Sequence, residues 1–127
     1  MSGKAVKIVE KFWELMATND FTAAGPLLSD DFVLEWPQSA ERIRGRDKFA
    51  AMNKEYPAHG PWRFTVRSIV GDDDAAVSDV SVTDGAVKAR AVSFFTLKND
   101  KIVKMVEYWP EDYPAPKNRK HLVERMD

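Results

Sequence analysis

Cysteine is absent from this chain. That excludes a disulfide scaffold, a thiolate zinc site and a cysteine nucleophile together. Neither sign of charge prevails, because 19 Lys and Arg face 20 Asp and Glu for a formal net charge of −1. A general binder of nucleic acid or of an anionic membrane would carry a basic surplus, so neither partner is expected. No apolar run approaches the roughly 18 residues that span a bilayer. The N-terminus carries no secretory pattern, and the expected location is cytoplasmic. Histidine is scarce, and His59 and His121 have no ligand spacing, so no metal site is expected. Glycine-rich phosphate loops, dinucleotide fingerprints and nucleophile elbows are missing as well. Asp72-Asp73-Asp74 lacks the glycine and distant glutamate of a calcium loop and reads as a solvated turn.

What is present suits one soluble domain over residues 1–127. The chain is 44% hydrophobic and 31% charged, with 7 Phe, 4 Trp and 3 Tyr. A chain of this length buries about two-thirds of the surface it exposes when unfolded, enough for a real core.

Period divides the chain into two halves. From Lys4 to Thr18, Ala5, Ile8, Val9, Phe12, Leu15 and Met16 recur at spacings of three and four, opposite Lys4, Lys7, Lys11 and Glu14. This predicts an amphipathic helix with Ser2 as N-cap and Asn19-Asp20 as its stop. A short helix is expected over Thr22–Leu28, limited by Gly25-Pro26, then a short strand over Phe32–Trp36. A third helix follows Arg46, with Phe49, Met52 and Tyr56 as its buried stripe. Beyond Pro61 the period becomes two. Trp62–Val70, Ala75–Val82, Ala86–Leu97 and Lys101–Trp109 are rich in β-branched and aromatic residues and separated by turn signals. About three helices followed by a four-strand meander, plus one short strand, make an α+β arrangement. Ser39–Arg46 reads as a loop, and the tail carries a short helix at Lys120–Arg125.

Counting register outward from two-residue turns at Asp84-Gly85 and Asn99-Asp100 assigns the faces. One face receives Val66, Asp79, Arg90, Val92, Phe94, Met105, Glu107 and Trp109 and is expected to meet the helices. The other holds Ser78, Val80, Ala89, Ala91, Ser93, Phe95, Val106 and Tyr108. It is unusually apolar for a solvent face and is the expected homodimer interface. On the first face Asp79, Arg90 and Glu107 fall on three successive strands. In an apolar hollow, Arg90 would hold one carboxylate ionised while burial raises the pKa of the other, a starting point for acid/base chemistry. At the rim of a sheet the same three residues would be an ion-pair clamp. His59, in Pro57-Ala58-His59-Gly60-Pro61, belongs to a loop that could cover the mouth of such a hollow. Trp36, Trp62 and Trp109 are candidates for its walls or for ordinary core.

The order of signals carries a resemblance. Thr18-Asn19-Asp20-Phe21 ends the first helix, and Leu27-Leu28-Ser29-Asp30-Asp31-Phe32-Val33 follows. Ile43-Arg44-Gly45-Arg46-Asp47 opens the third helix, and Asn99-Asp100-Lys101-Ile102 leads into Glu107-Tyr108-Trp109. Over residues 5–112 the chain resembles the nuclear-transport-factor-2-like superfamily, in its SnoaL-like polyketide cyclase and ketosteroid isomerase branch. The resemblance implies a cone-shaped, curved antiparallel sheet wrapped around N-terminal helices, an apolar conical pocket and a homodimer. It also implies acid/base chemistry on a hydrophobic small molecule with no cofactor. The steroid isomerases' tyrosine, general-base aspartate and protonated aspartate align at Phe12, Trp36 and near Phe94, so their mechanism is not expected. The cyclases resemble this chain on the last strand, where Glu107 stands at or near their acid/base residue. The superfamily's epoxide hydrolases use an aspartate–arginine–aspartate set, which Asp79, Arg90 and Glu107 resemble in composition. Glu107, Asp79 and Arg90 are therefore the expected catalytic group. Phe12, Trp36, Trp62, Phe94, Met105, Trp109 and His59 are the expected substrate contacts. A non-catalytic ligand-binding or dimerisation module is the alternative.

Overall fold

The computed structural model describes residues 3–126; Ser2, the expected N-cap, lies outside them. Helix α1 (Lys4–Met16) turns Ala5, Val9, Phe12, Trp13 and Met16 inward, the spacing that a 3.6-residue repeat places on one face. Its stop does more than end the helix. Asn19 takes a left-handed conformation (φ 62°), and its side chain bonds both the N–H and the C=O of Trp62, at 2.7 and 2.8 Å. The helix end is thereby fixed to the entry of the main sheet.

The short helix expected over Thr22–Leu28 is a set of turns with one 3₁₀ turn at Gly25–Leu27. Pro26 lacks the N–H that a longer helix would need. Strand β1 (Leu28–Trp36) consequently begins four residues before the expected Phe32. Strand β2 (Glu41–Arg44) pairs antiparallel with it inside the stretch that reads as a loop. Only Ile43 of its four residues is half-buried, so this edge strand leaves almost no alternating apolar signal. Helix α2 (Arg46–Glu55) buries Phe49 and Ala50, while Tyr56 lies just past its end and is exposed. Strands β3 (Arg63–Gly71), β4 (Ala75–Thr83), β5 (Lys88–Lys98) and β6 (Lys101–Tyr108) form the expected meander. The tail holds one 3₁₀ turn at Lys117–Arg119 in place of the helix expected at Lys120–Arg125.

The six strands form one sheet in the order β2-β1-β6-β5-β4-β3. β1 runs parallel to β6, so the sheet is mixed, whereas the expectation was wholly antiparallel. The α+β cone is otherwise as expected. Helix α1 packs on β3 and β4, and α2 on β1 and β2, so both cover the same sheet face. Between them an aromatic cluster centres on fully buried Phe12, whose ring lies 5.5 Å from Phe95 and 5.1 Å from Trp13. Among the described residues no helix is long and apolar enough to cross a membrane.

Two irregularities decide which side chains face that core. The β4–β5 loop has four residues, not two, because Asp84 Oδ1 accepts the N–H groups of Ala86 and Val87 at 2.9 and 2.8 Å. Thr83 therefore pairs with Lys88. A shift of two residues changes partners but preserves sidedness. The Asn99-Asp100 turn closes as expected, with φ of 53° and 62° at the two positions, the left-handed pair of a type I′ hairpin. Immediately beyond it the register slips, since Leu97 pairs with Ile102 but Thr96 pairs with Lys104. Val103 is the extra residue of a β-bulge, and it inverts the sidedness of β6 relative to β5. A second slip, at Arg67 between Val66 and Ser68, does the same along β3.

A carboxyl held by two indoles and a serine

The bulge separates the expected catalytic group. Glu107 lies opposite Ser93 and faces the helices. Asp79 and Arg90 lie on the other face of the sheet, joined to each other through Arg90 Nη2 and Asp79 Oδ2 at 3.0 Å. Their side chains are 36% and 45% exposed. The Arg90 guanidinium holds the Asp79 carboxyl below its usual pKa, and Asp79 raises that of Arg90 in return. This is the ion-pair clamp and not a partnership with Glu107. Phe94 is corrected in the same way. It is 45% exposed on the outer face, edge-to-face with Tyr108 at 6.1 Å.

The inner face borders a cavity of about 1150 Å³, partly open to solvent. Phe12, Trp36, Trp62, Met105, Glu107 and Trp109 line it, and so do Phe49 and Tyr56, which the sequence left unassigned to a site. Arg90 also borders it, with its guanidinium committed to Asp79. Asp79, Phe94 and His59 are not among its lining residues. His59 has a different attachment. Its N–H and its Nδ1 lie 2.9 and 3.0 Å from Asp84 Oδ2, which clasps the Pro57–Pro61 loop to the β4–β5 turn. Four such bonds, those from Val87, His59 and Ala86 foremost, drive the Asp84 carboxyl far below its usual pKa.

Glu107 is 5% exposed, and each of its oxygens is bonded. Oε1 accepts the indole N–H of Trp36 at 3.0 Å and that of Trp109 at 3.2 Å. Oε2 meets the Ser93 hydroxyl at 2.7 Å. Parallel pairing of β1 with β6 brings Trp36 and Trp109 together at one sheet end. Gln38 fixes that end, its Oε1 accepting the Trp109 N–H at 2.6 Å and its Nε2 donating to the Trp109 C=O at 3.3 Å. All three partners of Glu107 are neutral. Burial raises the pKa of its carboxyl, and the bonds from Ser93, Trp36 and Trp109 oppose that rise only in part.

The two oxygens differ chemically. An indole N–H can only donate. A proton on Oε1 would weaken two bonds at once, so the exchangeable proton belongs on Oε2. Ser93 can donate to the ionised carboxylate or accept from the neutral acid, so Oε2 keeps a partner in both states. Sequence reasoning missed Ser93 because it placed that residue on the opposite face. The available signal was the serine pair itself: Ser78 and Ser93 face each other on β4 and β5, each fully buried, and Trp13 Nε1 donates to Ser78 Oγ at 3.0 Å. Among the described residues no group of acidic or histidine side chains could hold a metal ion.

Residues 9–105 match the sequence pattern of the SnoaL-like domain family. No curated protein matches the sequence. A solved structure from Kribbella flavida DSM 17836, provisionally labelled a ketosteroid isomerase, has a TM-score of 0.90 at 30% identity. That match covers 99% of this chain and 92% of that one. An NTF-2 like protein of unknown function from Burkholderia xenovorans LB400 follows at a TM-score of 0.79 and 28% identity, over 98% and 96% of the two chains. An LEH-like epoxide hydrolase from M. tuberculosis has a TM-score of 0.69 at 20% identity, over 86% and 84%, a likeness of fold alone.

Proposed function

Because this chain belongs to the SnoaL-like domain family, we propose that its cavity binds a hydrophobic small molecule and that Glu107 exchanges a proton with it, without a cofactor. The observation that carries this reading is the buried carboxyl, raised in pKa, in the wall of an apolar hollow. Such a group is tuned toward the pH at which an acid/base catalyst can both take and return a proton. In one such step Oε2 accepts a proton from a carbon next to a ligand carbonyl. The C–H electron pair moves into an enolate, and return of the proton to a second carbon completes an isomerisation. Trp36 and Trp109 act as positioning residues that hold Oε1, and Ser93 supports Oε2 before and after transfer.

The test is hydrogen exchange into apolar cyclic ketones in D₂O. Glu107→Gln is expected to slow the protein-dependent exchange by about 10²–10⁴-fold. Ketones that bind in the cavity without Glu107-dependent exchange would favour the second reading, a non-catalytic binding module. The observation on that side is that Trp36, Trp109 and Ser93 already occupy both oxygens of Glu107.

The chain is further proposed to form a homodimer through the outer sheet face. The residues differ from those expected, since Ala91, Ser93 and Phe95 are buried on the inner face. The outer apolar group is Val92, Phe94, Val106 and Tyr108, bordered by the Asp79–Arg90 and Glu35–Lys104 pairs. Sedimentation should give twice the chain mass for the wild type and the single mass for Phe94→Glu. A wild-type monomer would overturn the proposal.

A further inference from the structure

Glu107 is an acid with no base beside it. Its three hydrogen-bond partners are neutral. The ionisable residues around the cavity are Glu41, Glu107, Glu111 and Asp112 against Lys88 and Arg90, and Arg90 is already paired with Asp79. No ion pair joins Glu41, Glu111 or Asp112 to a base among the described residues. Glu41 follows Trp36, and Glu111 and Asp112 follow Trp109, closely in the chain, and all three are exposed residues that border the cavity. The interior and its lip therefore favour positive charge and oppose negative charge.

The walls point the same way. An indole that donates through its N–H turns its edge to the acceptor, so its π faces look sideways. Two indoles converge on Oε1, and both line the cavity. Further along the wall, Tyr56 and Trp62 form an aromatic corner, with centroids 6.1 Å apart and planes at 64°. Aromatic faces around one carboxylate suit a cation whose charge is sheathed in carbon, because such a cation loses little hydration on entry.

We propose that the ligand of this cavity is an organic cation, an amine or quaternary ammonium bearing apolar substituents, with Glu107 as its counter-ion. The inference rests on the cavity being a ligand site and adds the ligand's chemical class. The proton balance follows directly. A neutral amine takes the Oε2 proton and becomes the ammonium partner of the carboxylate. A quaternary ammonium has no site for that proton, which leaves to solvent as the ion pair forms. Quaternary binding therefore strengthens with pH, by up to about tenfold per unit while Glu107 is mostly protonated, as one released proton requires.

Three probes of one shape decide the matter: choline, its neutral carbon isostere 3,3-dimethyl-1-butanol, and the anion 3,3-dimethylbutanoate. Each is titrated calorimetrically into the wild type and into Glu107→Gln, whose thermal unfolding confirms that it folds. Choline is expected to bind at least tenfold more tightly than the alcohol, with the anion weakest. Glu107→Gln should remove most of choline's advantage over the alcohol and flatten most of the pH dependence, leaving what the acids at the lip and the aromatic walls supply. If the alcohol binds the wild type as well as choline does, the charge assignment is wrong and the ligand site stands. Choline preference undiminished in Glu107→Gln would likewise overturn the assignment of Glu107 as the counter-ion. If none of the three binds, the organic-cation assignment falls, while the ligand-site reading stands or falls on the cyclic ketone exchange.

Discussion

The two faces of this sheet treat a carboxylate in opposite ways. On the outer face Asp79 is ionised beside Arg90, half in water, and its pKa is lowered. On the inner face Glu107 is buried among neutral donors, and its pKa is raised. The two acids come from alternate strands of the same meander, β4 and β6, and a single inserted residue, Val103, separates their environments. Acid/base character here is a consequence of strand register. Exposed pairs of the Asp79–Arg90 kind contribute little net stability, because water screens the attraction and the side chains lose freedom. A lone buried acid costs stability, and a fold keeps it where a ligand or a reaction uses it.

Inserting one alanine after Lys104 should break the comparison most completely. The added residue takes the inward position that follows Lys104, so Met105 and Glu107 would turn outward and Val106 inward. The expected outcome is loss of the cooperative thermal transition, read by circular dichroism. An insertion variant that melts like the wild type would show that register along β6 does not set the faces.

Glu107→Gln comes next and removes proton transfer while keeping shape. Besides the fall in exchange already described, it should change the pH dependence of stability. The folded chain holds the Glu107 proton to higher pH than the unfolded chain does. The associated stability is fully present below the unfolded value and is lost as pH rises through the folded one. The glutamine variant lacks that decline, so its advantage over the wild type should grow from acid toward alkaline pH. A constant difference across that range would mean that Glu107 titrates alike in both states.

Ser93→Ala is expected to have a moderate effect. It leaves Oε2 without its partner, at a cost of about 1–3 kcal/mol for an unsatisfied buried group. With one carboxylate-stabilising bond gone, the Glu107 pKa should rise further, and the pH profile of exchange should move to higher pH. Trp36→Phe should move it in the same direction by less, since Trp109 still donates to Oε1.

Arg90→Ala should have the smallest effect. The Asp79 contribution is present above its unfolded value and is lost as pH falls through its lowered native value, so any change belongs at acid pH. At neutral pH melting should scarcely differ from the wild type, and exchange should be unchanged. A large loss of exchange in Arg90→Ala would restore the guanidinium to the site and contradict the separation of faces.

Much of this was legible in the sequence, and the failures have physical causes. The spacing of Val9, Phe12 and Met16 identifies α1 because one buried stripe repeats over several turns. The meander is legible because β3 to β6 alternate between recognisable turns. Strand β2 was not, because a short edge strand with one half-buried residue has almost no pattern to read. The placement of Glu107 on the helix-facing side was reached from the turn at Asn99-Asp100, yet Arg90, Asp79 and Phe94 were carried with it to the wrong side. A bulge shifts sidedness without leaving a mark as plain as a glycine or proline, and Val103 is chemically an ordinary strand residue. The four-residue loop at Asp84 was equally hidden, since Asp-Gly is the strongest signal for a two-residue turn. The side chain of Asp84 overrode it by capping the loop's own N–H groups.

The most direct test of the account is a ¹³C NMR titration of the side-chain carboxyl carbons, with Glu107→Gln assigning the Glu107 resonance. The account predicts a Glu107 carboxyl resonance that titrates above the ordinary glutamate range in the wild type, is absent from the variant and moves still higher in Ser93→Ala. A Glu107 carboxyl that titrates at or below the ordinary range, unaffected by Ser93, would contradict it.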